Sequence, residues 1–125
     1  MGAISKEDVE QIKIVEWVKQ CTDLPIIHIA NQRQTSPQHG SLLKRMGVLP
    51  GTSDLFFPRM SKGKSGLWIE LKVGSNKPTE LQIKFIENMK KEGYEGIVCW
   101  GADESIKFIK NFYHLPDINT PVNRM

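Results

Sequence analysis

Apolar positions along the chain change period several times, and each change predicts an element. Ser5 can cap a helix whose first turn carries acids in Lys6-Glu7-Asp8, and Ile12, Val15, Trp17 and Val18 then recur at roughly helical spacing. The pattern predicts an amphipathic helix over residues 6 to 20. After the Asp23 to Pro25 break, Ile26-Ile27-His28-Ile29-Ala30 is short, apolar and β-branched, which predicts a buried strand. Residues 31 to 53 are polar and rich in Gln, Ser and Gly, with a short helix expected near Ser41 to Met46; long ordered connections of this kind are disproportionately functional. Leu55-Phe56-Phe57, closed by Pro58, predicts a second strand, and Ser61 to Gly66 a hairpin turn into a third at Leu67 to Val73. A loop at Gly74 to Lys77 precedes a helix opened by Pro78 and Thr79 and running to Lys91, with Leu81, Phe85, Ile86 and Met89 as its stripe and Gly93 as its stop. Glu95 to Trp100 predicts a last strand, and Ala102 to Tyr113 a last helix burying Ile106, Phe108, Ile109 and Phe112.

This order, helix, strand, loop, strand, strand, helix, strand, helix, predicts an α/β sandwich: a central mixed β-sheet flanked by helices. The helix between the third and fourth strands can serve as a right-handed crossover, which makes those strands parallel. At 125 residues the chain has the size of one domain, with a core over about 5 to 114 and an irregular tail over 115 to 125. Apolar residues at 39% and charged residues at 25% are ordinary globular usage, and a net charge of +3 argues only weakly for a polyanionic partner. Cys21 and Cys99 lie far apart without neighbours at metal-ligand spacing, so both read as packed thiols instead of zinc ligands. No apolar run is long enough to span a bilayer and no signal-peptide core is visible, which makes a reducing cytoplasm the expected compartment and excludes a membrane partner.

The densest chemistry lies in Leu67-Trp68-Ile69-Glu70-Leu71-Lys72-Val73. Alternate side chains of a strand share a face, so Leu67, Ile69, Leu71 and Val73 are expected toward the core, and Trp68, Glu70 and Lys72 away from it. A carboxylate and an ammonium then stand about 7 Å apart along one face. If strands 54 to 57 and 67 to 73 pair antiparallel, Asp54 lies across from Glu70 on that face. Mg²⁺ or Mn²⁺ suits such a pocket, because these hard ions take one or two carboxylates, keep waters and share the remainder of their shell with phosphate. Asp54 and Glu70 are the expected carboxylate ligands, the Leu71 carbonyl a further oxygen, and Lys72 the group that orients water or offsets transition-state charge.

Gly47-Val48-Leu49-Pro50-Gly51-Thr52-Ser53-Asp54-Leu55, then Ile69-Glu70-Leu71-Lys72, then Leu81-Gln82, then Gly93 before a strand, resembles the VRR-NUC domain of the PD-(D/E)xK nuclease superfamily. The resemblance runs from about Glu7 to about Trp100 and implies a restriction-endonuclease-like core, α-β-β-β-α-β. It implies that Asp54 and Glu70 are metal-binding acids, Lys72 the catalytic lysine and Gln82 a supporting glutamine. The family also carries an acid on its first helix. Glu7, one turn before Gln11, is preferred for it, with Glu10 the competing choice. Ser53 departs from the proline that often precedes the family's aspartate, at a position that sets the turn. With little room for a second domain, the match looks like the stand-alone phage and bacterial form. Such proteins are similar to Holliday-junction resolvases and tend to be homodimers.

Arg33, Lys44, Arg45, Lys62 and Lys64 occupy the segments flanking Asp54 and are expected to surround the site with phosphate contacts. Asn31, where the family tends to carry an asparagine, is a further DNA-contact candidate, and His39 a substrate contact to test. The expected function is metal-dependent DNA endonuclease activity on Holliday junctions or other branched DNA. The alternatives are a catalytically silent DNA-binding module of the same fold and a restriction-type nuclease reading a duplex sequence, for which 125 residues leave few base-reading elements.

Overall fold

A computed structural model describes residues 4–30 and 36–116. Its first helix, α1 (Lys6–Cys21), starts where the sequence supplies both halves of a capping box. The Ser5 hydroxyl accepts from the Asp8 N–H, and the Asp8 carboxylate accepts from the Ser5 N–H. Its buried residues are Ile14, Trp17 and Val18, while Ile12, expected on the same stripe, is exposed. The remaining elements are β1 (Ile27–His28), α2 (Pro37–Arg45), β2 (Leu55–Phe57), β3 (Leu67–Lys72), α3 (Glu80–Lys91), β4 (Glu95–Trp100) and α4 (Gly101–Phe112). The sheet has the order β1-β2-β3-β4, antiparallel in its first two pairs and parallel in the third, where α3 makes the crossover. This is the mixed sheet that the element order predicts.

Two expectations are corrected. The strand over residues 26 to 30 is neither long nor buried: β1 is two residues, both exposed, with Ile27 46% exposed. Among the described residues it is the sheet's edge, paired only with β2, so its apolar pattern has one neighbour to pack on instead of two. The short helix expected near residues 41 to 46 begins earlier, at Pro37, because Ser36 caps the His39 N–H and proline suits the first helical turn.

The main core lies between the sheet and the α1/α4 layer. Leu55, Phe57, Leu67, Ile69, Leu71 and Cys99 from the strands meet Ile14, Trp17, Val18, Ala102, Ile109 and Phe112. Both cysteines are free thiols, Cys99 buried and Cys21 half-buried. The opposite face is covered as well. Trp68 stacks on its register partner Phe56 with ring centroids 4.2 Å apart and meets Phe85 of α3 edge-on at 4.9 Å. Gly96 permits this approach, since a Cβ there would lie 3.0 Å from Ile86 of α3. Helices therefore flank both faces. At the far end the hairpin turn after β2 is fastened to the end of α4: Ser61 donates to the Phe112 carbonyl, Lys62 to the Asn111 side chain, and the Tyr113 hydroxyl to the Arg59 carbonyl.

Candidate active site

Asp54 stands one residue before β2. The register that pairs Leu55 with Ile69 sets Asp54 opposite Glu70, on the face that also carries Phe56 and Trp68. Its Oδ2 accepts from the Leu71 N–H at 2.8 Å, continuing the β2–β3 ladder with a side chain where the main chain of β2 ends. Both acids are withdrawn from water, Asp54 at 8% exposure and Glu70 at 2%. Glu70 Oε2 lies 3.6 Å from the Lys72 ammonium. Its Oε1 is buried without a hydrogen-bond donor among the described residues.

That environment disfavours the ionised form of Glu70. Burial, first, and then the Asp54 charge and a hydrogen bond with Asp54 push its carboxyl up to about 8; Glu7 adds to the rise and Lys72 opposes it. The orphaned oxygen has the same explanation. In the carboxylate this oxygen lacks a donor among the described residues; as an acid Glu70 has a proton to offer the Asp54 carboxylate. Two close, buried acids with one unsatisfied oxygen are a setting that a divalent cation relieves, since it replaces the missing donor and cancels the repulsion. Among the described residues no three His, Cys, Asp or Glu side chains gather closely enough to cage an ion alone. Mg²⁺ needs only one or two carboxylates beside other oxygens.

The two candidates for the first-helix acid, Glu7 and Glu10, have different surroundings. Glu7 is the one whose charge is felt at Glu70. Glu10 is committed elsewhere: its Oε1 accepts from the Ala102 N–H at 3.0 Å and its Oε2 pairs with Lys13 at 2.8 Å, tying α1 to the start of α4. Gln82 has a local task not read from the sequence. Its Oε1 accepts from the Thr79 N–H at 2.9 Å while its N–H donates to the Thr79 hydroxyl, a capping box that starts α3 and is legible as Thr-x-x-Gln. Gly51 brings the loop before Asp54 onto that first turn; its φ is +86° and a Cβ would lie 2.5 Å from the Leu81 carbonyl oxygen. Ser53, expected only to set a turn, is fully buried.

The basic residues divide by topology. Lys44 and Arg45 end α2, exposed, and Lys44 shares a groove of about 250 Å³ with Leu49, Pro50, Leu81 and Lys84. Lys84, one turn beyond Glu80 on α3, was not singled out by sequence. Lys62 and Lys64 do not flank the site: the turn that bears them joins the ends of β2 and β3 remote from Asp54 and Glu70, and Lys62 is bonded to Asn111. Sequence proximity to Asp54 misleads here because a hairpin carries the chain a full strand length away. His39 is exposed on α2. Asn31 and Arg33 lie outside the described residues.

No helix among the described residues is long and apolar enough to cross a membrane. No protein-family model matches the sequence, and no curated protein matches it. A solved structure described as "VRR_NUC domain protein" is similar at 30% identity over 98% of this chain and 99% of that one, with a TM-score of 0.74. Agreement at that identity, along the whole of both chains and on a shared fold, makes this chain a member of the VRR-NUC domain family.

Proposed function

We propose that the protein is a DNA endonuclease that hydrolyses phosphodiester bonds with Mg²⁺ or Mn²⁺, acting on branched DNA such as Holliday junctions. The observation that carries this reading is the pair of buried acids, Asp54 and Glu70, with the Lys72 ammonium 3.6 Å from one of them. Asp54, Glu70 and the Leu71 carbonyl would hold the ion. The carbonyl is on the right edge: bonding groups of one residue in an antiparallel strand leave on the same side, and the Leu71 N–H already meets Asp54. A bound ion of this kind activates water and offsets charge growing on the phosphate.

The chain's own groups do the rest. Glu70 gives up its proton before it can act as a ligand, and Asp54, steadied by the Leu71 N–H, keeps its position while that happens. Lys72 presents a half-buried ammonium that orients the attacking water or neutralises the crowded phosphate. Glu7 adds negative charge from the α1 side, and the Gln82 amide supports the site from the start of α3. Lys44 and Arg45 hold the phosphate backbone without reading sequence. A homodimer in the cytoplasm of a bacterium or an infected host would pair two sites on a two-fold junction.

Cleavage of a four-way junction, a flap and a plain duplex, each with Mg²⁺, Mn²⁺ or chelator, tests the proposal. Metal-dependent products from the branched substrates are expected. Binding without cleavage under every metal overturns it in favour of a silent DNA-binding module, and cutting confined to one duplex sequence in favour of a restriction-type enzyme.

A further inference from the structure

A second concavity of about 400 Å³ opens where the site strands end. Lys6, Val9 and Glu10 of α1 form one wall. It is lined as well by Val73 and Gly74, which directly follow Lys72, and by Trp100 with Gly101, where β4 turns into α4. The groove therefore begins directly after the strand of Glu70 and Lys72 and shares its helix with Glu7. Trp100 is the register partner of Lys72 in the parallel pair, one strand spacing away.

Trp100 is unusual for a tryptophan at a strand end. Its indole N–H is spent on the Asn76 carbonyl at 2.7 Å and its main-chain N–H on Glu104 at 2.7 Å, yet the residue is 39% exposed. The ring is held in place and still offers apolar surface. Val9, 42% exposed, faces the same space, and Gly74 keeps its side open, since a Cβ there would meet nothing within 4 Å. Lys6 supplies a cation at the rim. A fixed aromatic platform, an apolar counter-wall and a nearby cation suit a planar heterocycle carried on a phosphate backbone. A paired base in a duplex cannot enter such a groove.

We infer that this groove receives a nucleobase of the DNA strand next to the scissile phosphate that is unpaired or unstacked at a branch point, stacked on Trp100, and so favours substrates in which such a base is available at the cut over plain duplex. The inference rests on the reading of Asp54, Glu70 and Lys72 as the cleavage site. Recognition by stacking tolerates any base, because the indole N–H is already used internally.

Fluorescence anisotropy in chelator, where no cleavage occurs, tests it with a labelled short oligodeoxythymidine and a matched strand of abasic sugars. Wild type should bind the base-bearing strand about tenfold more tightly than Trp100→Ala. Trp100→Phe should recover most of that difference, and Val9→Trp, at an exposed helix position, should block the groove and mimic the alanine variant. All four proteins should bind the abasic strand alike. Equal binding of the base-bearing strand by wild type and Trp100→Ala, or equal weakening on both strands, overturns the inference. Manganese-dependent cleavage by wild type tests the underlying reading separately. Trp100-dependent base binding without cleavage by wild type removes the nuclease and leaves the base-binding groove, whereas cleavage with Trp100-independent binding does the reverse.

Discussion

Glu70 is the residue on which most of the proposed chemistry turns, because its burial and its neighbours set it against its own charge. Its carboxyl sits near 8 in the folded chain and near the ordinary 4.5 when unfolded, so its neutral form stabilises the metal-free fold. That contribution is complete below the unfolded value and is lost as pH rises through the folded one, at up to about 1.4 kcal/mol per pH unit. Thermal melts in chelator should show the wild type losing stability between about pH 5 and 8 relative to Glu70→Gln, whose side chain cannot ionise. Added Mn²⁺ should restore the wild type most at the alkaline end. A parallel pH dependence of the two proteins would remove Glu70 from the titration. Lys72→Ala and Asp54→Ala should retain helical circular dichroism and lose cleavage by about a hundredfold or more; full activity in either removes that residue from the mechanism. The acids and the lysine were legible in the sequence because a strand's two-residue period puts Glu70 and Lys72 on one face and a hairpin sets Asp54 across from them. Glu10's bond to Ala102 was not, since it joins segments 92 residues apart.

At the scale of elements, the local sequence pattern marked the helices and strands of the described residues, and tertiary context set their ends and exposure. β3 and α3 carry strong patterns and lie where the pattern puts them, although Leu81, expected on the stripe of α3 with Phe85 and Ile86, is 55% exposed. The segment that forms β1 has an equally apolar composition, yet only two of its residues pair, because edge or centre is decided by the neighbours a strand acquires and not by its residues. Acquired neighbours also explain Trp68, which lies on the face away from the main core, as expected, and is covered there by a second aromatic layer under α3. The close approach of Gly51 to Leu81 joins the loop before Asp54 to the first turn of α3. Gly51→Ala forces a side chain against the Leu81 carbonyl from a left-handed φ, which shifts the Asp54 loop. It should lower the melting temperature by several degrees, a loss of about 1–3 kcal/mol, and reduce cleavage more than that instability alone explains. Unchanged melting and activity would show that this loop does not position the aspartate.

Across the whole molecule, the sheet separates two groups of lysines that the linear order sets side by side. Lys44 and Lys84 share a groove on the α2/α3 side, against the loop that leads to Asp54, whereas Lys62 and Lys64 sit on the turn fastened to the end of α4. Replacing Lys44 and Lys84 by alanine should weaken DNA binding and flatten the dependence of log affinity on log salt by about 0.9 for each duplex phosphate that is no longer neutralised. Replacing Lys62 and Lys64 should leave that slope unchanged, and an equal effect of both pairs would refute the division. The fastened turn has a practical consequence. It is bent by left-handed Lys62 and Gly63 at the pole of the sheet away from the acids, with open space around Gly63, so a dye or affinity handle attached at that tip could report on the bound strand, or immobilise the protein, without standing in the path of DNA.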